Sequence, residues 1–391
     1  MKKFKLSNRL ICCVISLILS MLCVTPLLAA TSPLYFSSVR QFDIDVATDI
    51  VNLYAESNED FSINKFRSIN NSLGKAAYIL AELLPYGYAL FNNSNCLLLE
   101  ANFSEGSVAP VPLEDENDYM YVGPSTFAVM EKNNLVLTDN GHSLSAQDVQ
   151  WVVDFESAIN GVDKNQLGYV YNSNEIRTPI SSAISTYTDS VGIAYFPRLN
   201  DHGTNTEGTC TVLAAAMLIG YYRHNVNSNY IASQYVTQGS SSSSAGTTEA
   251  FHQLLCTYVY GDGERGGISI CNAAEGINNY LNSRPVAGRI VANTDKNVKL
   301  TQDTMIECIT ERRPAIASCG KGYGASINHT MLVYGIKYTY RSDVEINSSS
   351  LPPVNYNSLM YRVHYGHGSS KNDVWVTSAW FYRYGYISES N

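Results

Sequence analysis

No Cys-x-x-Cys pair occurs in the 391 residues, and no group of His and Cys has the spacing of a zinc site. Also missing are His-Glu-x-x-His, Gly-x-Ser-x-Gly and a P-loop, which removes the zinc-peptidase, serine-hydrolase and phosphate-cradle readings. Positive charge is scarce, with 26 Lys and Arg against 35 Asp and Glu. A chain this acidic has no general attraction for nucleic-acid phosphates or anionic lipid, so nucleic acid is excluded as the expected partner. No apolar run of spanning length follows Leu28, and no internal repeat is visible. Hydrophobic residues nevertheless make up 45% of the chain, too many for disorder. At about 100–200 residues per domain, two domains are expected.

The first thirty residues have a basic start (Lys2, Lys3, Lys5, Arg9), an apolar run from Leu10 to Leu28, and the small pair Ala29-Ala30. This layout predicts a signal peptide over 1–30, cut near Ala29 and Ala30. The run is also long enough to act as a membrane anchor, but Ser16, Ser20, Thr25 and Pro26 interrupt it. The expectation is a secreted protein with no stable membrane anchor after cleavage. Removing those four basic residues leaves 22 against 35 acidic, a net charge of −13. Cys12, Cys13 and Cys23 go with the signal, leaving Cys96, Cys210, Cys256, Cys271, Cys308 and Cys319. The even count permits disulfides in an exported chain and equally permits buried thiols.

Within 31–189, three short strands are predicted over Ala77–Leu84, Tyr88–Phe91 and Cys96–Glu100. Pro85-Tyr86-Gly87 and Asn92-Asn93-Ser94-Asn95 supply the turns. Ser145 with Asp148 three residues on predicts a capped helix through Ser157. The Ser, Thr, Asn and Tyr-rich stretch from about Tyr171 to Asp189 reads as a linker. A second domain, 190–391, opens with helices at Cys210–Tyr222, Thr248–Tyr258, Cys271–Leu281 and Asp303–Arg312. It continues with strands at Ala315–Ser318, His329–Tyr338, Leu359–Tyr365 and Val374–Thr377. Helices first and an antiparallel sheet last describe a segregated α+β domain, preceded by a small α+β unit.

Cys210 stands immediately before an apolar run of helical length, Thr211 to Tyr222. A thiol at a helix N-terminus faces unpaired N–H groups and the positive end of the dipole, which favour the nucleophilic thiolate. The bland alternative is a small buried hydrophobe opening a core helix. Of seven histidines, His329 is best placed as its base, because it opens an apolar strand behind the glycine-rich loop Gly320 to Ala325.

A helix-leading Cys followed 119 residues later by a strand-leading His resembles the papain-like cysteine peptidases. Gly208 to Tyr222 is similar to the nucleophile helix of streptopain-like and bacteriocin-leader-processing secreted bacterial peptidases. Asn328-His329-Thr330-Met331-Leu332-Val333-Tyr334-Gly335 is similar to their Gly-His-Ala-aliphatic-Val-x-x-Gly strand. Val363-His364-Tyr365-Gly366-His367-Gly368-Ser369 resembles their Asn-Trp-Gly-Trp-Gly-Gly segment. The resemblance covers roughly Tyr195 to Trp380, with the motifs in family order. It implies a papain-like domain, a cofactor-free Cys210–His329 peptidase acting on peptide or protein substrates, and a zymogen whose own prodomain (31–189) is its intramolecular inhibitor. The Tyr-Ile-Leu-x-Glu segment at Tyr78 and Pro85-Tyr86-Gly87-Tyr88-Ala89 are similar to such prodomains.

The sequence departs from the family in three places. His364 stands where Asn usually orients the catalytic imidazole, and Asp373 is a rival orienter. Tyr365 and His367 replace the shielding Trp residues. Thr204 stands where a Gln is usual, and Asn205 beside it is the candidate side-chain donor of an oxyanion hole alongside the Cys210 N–H. Two other functions stay open at this point: a catalytically silent papain-like binding module, and a transglutaminase-like acyltransferase, whose Cys–His gap is usually shorter.

Overall fold

The computed structural model describes residues 44–55, 59–131, 134–138, 141, 143–162, 184–191, 208–236, 249–293, 297–319, 328–341, 351–366 and 373–389. The expected signal peptide lies outside them, as do Asn205, His367 and the Gly320–Ala325 loop.

The chain begins with α1 (Ile44–Tyr54), whose buried face is Ala47, Ile50, Val51 and Tyr54, a 3–4 residue repeat. An antiparallel meander follows: β1 (Ser62–Asn70), β2 (Ala76–Leu84), β3 (Tyr88–Asn92) and β4 (Leu98–Asn102). Gly87 makes the β2–β3 turn possible. Its φ is +100°, and a Cβ there would sit 2.2 Å from the carbonyl oxygen of Asn102. β4 starts two residues later than the sequence suggested, because Cys96 adopts φ 57° and belongs to the turn. Then come β5 (Tyr119–Gly123), β6 (Thr126–Glu131), β7 (Asn134–Leu137) and α2 (Ala146–Asn160). Ser145 and Asp148 close the expected capping box on α2.

The stretch read as linker ends in a strand, β8 (Ile184–Ser190). It is a polar edge strand, and its pairing with a distant strand, which periodicity cannot show, stabilises it. The helical part follows as α3 (Cys210–Asn225), α4 (Glu249–Tyr260), α5 (Ile270–Asn282), β9 (Gly288–Ala292) and α6 (Val298–Thr310). α6 begins five residues earlier than predicted, since the Asn297 side chain caps it by accepting from the Leu300 N–H. The closing strands are β10 (Ala315–Cys319), β11 (His329–Arg341), β12 (Met360–His364), β13 (Val374–Thr377) and β14 (Phe381–Glu389). The α+β class with helices ahead of an antiparallel sheet therefore holds.

One strand ladder runs β7-β6-β5-β1-β2-β3-β4-β13-β12-β11-β10-β14-β9, with β8 on the far half of β11. Among the described residues every strand pairing is antiparallel except β1 with β5. The two expected domains meet where β13 pairs with β4, Trp375 opposite Ala101 and Val376 opposite Glu100. Side chains seal that junction. Phe155 of α2 stacks on Trp380 at 3.5 Å and 12°, and the Trp380 indole N–H donates to the Tyr121 hydroxyl at 3.0 Å. Lys337 Nζ donates to the Tyr54 carbonyl at 2.7 Å. Asp43–Asn391 is accordingly one compact unit. α3 is buried nearly all round, as an apolar helix without a polar face must be, and packs on β10, β11, α4 and α5.

Candidate active site

Cys210 is the first residue of α3 and only 8% exposed. The next residue ties the helix to the sheet. Thr211 Oγ1 donates to the Ile268 carbonyl at 2.6 Å, so its one proton is committed. The 2.9 Å contact between Thr211 Oγ1 and Thr330 Oγ1 must then carry the Thr330 proton, and the 2.7 Å contact between Thr330 and Ser318 that of Ser318. This hydroxyl chain joins α3, β11 and β10. On the other side, Thr209 Oγ1 lies 3.1 Å from His252 Nε2 of α4.

The Cys210 thiol lies against the backbone and side chain of Thr330, the residue after His329. Cys319, which pairs with His329 across β10 and β11, lies close enough to sense charge on Cys210. The fold thus brings Cys210 to the head of the His329 strand. Its protonation differs from the helix-start expectation. Burial pushes the thiol above its ordinary value, and hydrogen bonds from the backbone N–H groups of Thr330 and Thr211 offset this only in part. A helix terminus lowers a thiol pKa when the site is wet, whereas here desolvation dominates.

His329 Nε2 is 2.9 Å from the Tyr365 carbonyl oxygen. A carbonyl only accepts, so Nε2 carries the proton and Nδ1 is the basic nitrogen. The ring also lies near-parallel to that of Tyr365, 5.8 Å between centroids. A backbone carbonyl thus occupies the place where a side-chain orienter was sought.

The two residues expected there are engaged otherwise. His364, at the end of β12, accepts the Gly366 N–H on Nδ1 at 3.0 Å. Asp373 forms a bidentate pair with Arg362, whose Nη2 is 2.8 Å from Oδ2. It also accepts from the Tyr334 hydroxyl at 2.8 Å and the Ser104 hydroxyl at 3.1 Å. Burial opposes its charge, but the Arg362 guanidinium and the Tyr334 hydroxyl hold its carboxyl below the usual carboxylate range. The Asp373 carboxylate clamps β12 to the loop after β4.

Behind Tyr365 lies a buried carboxyl. Glu100 of β4 accepts from the Tyr88 hydroxyl (2.6 Å), the Ser125 N–H and hydroxyl (both 2.7 Å) and the Tyr121 hydroxyl (3.3 Å). Burial raises its pKa despite these donors. The Tyr365 hydroxyl is likewise pushed up by burial and next by the Glu100 charge, so the ring that precedes Gly366 reaches into the N-terminal half.

Comparison with models of known protein families and with characterised proteins finds no match to this chain. Among the described residues no three His, Cys, Asp or Glu are grouped to hold a metal ion, and no helix is long and apolar enough to cross a membrane. The residues that sequence reading missed are Tyr365, acting through its backbone, and the Thr211–Thr330–Ser318 chain. One signal for the chain was present: Cys210-Thr211 and His329-Thr330 repeat the same dipeptide logic at the same separation.

Proposed function

We propose that this protein is a secreted cysteine-type peptidase of the papain-like kind, made as a precursor with a signal peptide and an N-terminal inhibitory half. One observation carries this reading. The thiol that opens α3 lies at the head of the strand whose first residue, His329, is held with Nδ1 as its base. In the reaction His329 Nδ1 takes the Cys210 proton, and the thiolate adds to the carbonyl carbon of a substrate peptide bond. The Cys210 N–H at the helix start and Asn205 would receive the oxyanion. The imidazolium then protonates the leaving amine, and water hydrolyses the thioester to release the acid and restore the thiol.

The buried, protonated Cys210 supports a latent precursor, and it is also what favours the second reading, a silent papain-like binding module. Incubation of the purified full chain separates them. The peptidase reading expects shortening near the Ser, Thr and Asn-rich stretch from Tyr171, and none in Cys210→Ala. The two pieces should elute together, because the β4–β13 pairing and the Phe155–Trp380 stack still join them. Equal shortening of both chains, with no cleavage of an added unstructured protein, would defeat the peptidase reading.

A further inference from the structure

The carbonyl that accepts His329 Nε2–H and the N–H that donates to His364 Nδ1 belong to one peptide group, that between Tyr365 and Gly366. In a planar trans peptide these two bonds point in opposite directions, so the amide stands between two imidazoles and bonds to each. Donation by the N–H polarises the amide and strengthens its carbonyl as an acceptor, so the two hydrogen bonds support one another. An amide N–H only donates, so His364 Nδ1 carries no proton while the bridge exists.

The bridge is also held in place from the nucleophile helix. Gly366 has φ +73°, and a Cβ there would come within 2.7 Å of Leu213 Cδ2, one turn after Cys210. The chain therefore passes against α3 only as glycine, with its amide fixed. On the other side, His364 lies opposite Leu332 in the β11–β12 register and is 8% exposed, so its ring has little room to turn.

We propose that His364 is a positioning residue that acts on His329 through the Tyr365–Gly366 amide, holding the carbonyl that keeps His329 in its Nε2–H form and releasing it when Nδ1 of His364 takes a proton. This rests on the peptidase reading of Cys210 and His329. A protonated Nδ1 would set two donors against each other and turn the amide away, in the mildly acidic range where imidazoles titrate. Among the described residues, the titratable or charged groups on the surrounding elements include His329, Tyr334 and Lys337 on β11, Tyr361 and Arg362 on β12 with Asp373, Cys319 on β10, Cys210 on α3, and Glu100 on β4 behind Tyr365.

The test compares full-length protein with His364→Phe, which keeps ring volume and removes the acceptor, and His364→Asn, whose side-chain oxygen accepts but does not titrate. Peptide hydrolysis is measured against pH. The ring nitrogens of His329 are followed by 15N NMR in the full-length Cys210→Ala background. We expect His364→Phe to lower kcat about ten-fold or more with KM little changed, since an unheld imidazole samples unproductive orientations. His364→Asn should recover most of that loss and lack the acidic limb of the wild-type profile. His329 should be a single Nε2–H tautomer with His364 or Asn present and a mixture with Phe. An unchanged limb in His364→Asn, or a single unshifted tautomer in His364→Phe, overturns the proposal. Should no form cleave peptide while the nitrogen spectra change as described, the bridge stands and the peptidase reading falls.

Discussion

Thr211 and Thr330 share a hydrogen bond of 2.9 Å, and they are separated by the same 119 residues that separate Cys210 from His329. The bond therefore fixes the register of helix against strand one residue beyond the thiol and the imidazole. Because Thr211 also donates to Ile268 and Thr330 accepts from Ser318, three elements hold that register together.

Thr330→Val keeps the shape of the side chain but removes the hydroxyl between Ser318 and Thr211. Two buried hydroxyls would lose a partner, at a cost of about 1–3 kcal/mol. Thermal unfolding should show a melting temperature lower by a few degrees, and peptide hydrolysis should fall with it. An unchanged melting temperature would show that the chain of hydroxyls contributes nothing.

Burial decides the state of Cys210 in the intact chain. Iodoacetamide at pH 7 should modify it more slowly than free cysteine, with the rate rising as pH climbs past the ordinary thiol value of about 8.5. Cys319 and Cys308, both pushed up to about 12 by burial, should react more slowly still. Mass mapping of adducts checks the order. Faster labelling of Cys210 than of free cysteine at pH 6 would mean that a thiolate is already present.

Glu100 gives stability an identifiable pH dependence. Its pKa in the folded chain lies above the ordinary 4.5, so its contribution is complete below that value and is lost as pH rises through the folded pKa. In Glu100→Gln the amide oxygen can still accept from the Ser125 N–H, and the NH2 can donate to the Tyr88 and Ser125 hydroxyls. Denaturant midpoints at pH 5 and pH 7 should therefore show the wild type losing ground relative to Glu100→Gln as pH rises. A constant difference would mean that Glu100 does not titrate differently on folding.

Asp373 behaves in the opposite sense. Its carboxyl is held below 3.8, so its stabilisation is present at neutral pH and is lost as pH falls through the folded value. Asp373→Asn tolerates the φ of 65° but leaves Arg362 without its counter-charge. The loss at pH 7 should reach about 3 kcal/mol, the lower end for a buried pair because water still touches this one. The difference between the two forms in urea unfolding should narrow as pH falls below 3.8. Retained stability with abolished hydrolysis would instead make Asp373 part of the chemistry.

Local sequence determined the elements around the site. Cys210 ahead of an apolar run and His329 ahead of alternating apolar residues are helix-start and strand-start patterns. Pro85-Tyr86-Gly87 and the Ser145–Asp148 box act over three or four residues. Tertiary structure decided the rest. β8 and the β4–β13 junction exist through partners that lie far away in the chain, and no periodicity encodes a partner. The thiol was expected to ionise at its helix end, yet its pKa follows from how much water the folded chain removes. The group that holds His329 is a backbone carbonyl, which every residue possesses, so no side chain in the sequence could mark Tyr365 for that place. Only the turn at Gly366, pressed against Leu213, puts that carbonyl where the imidazole meets it.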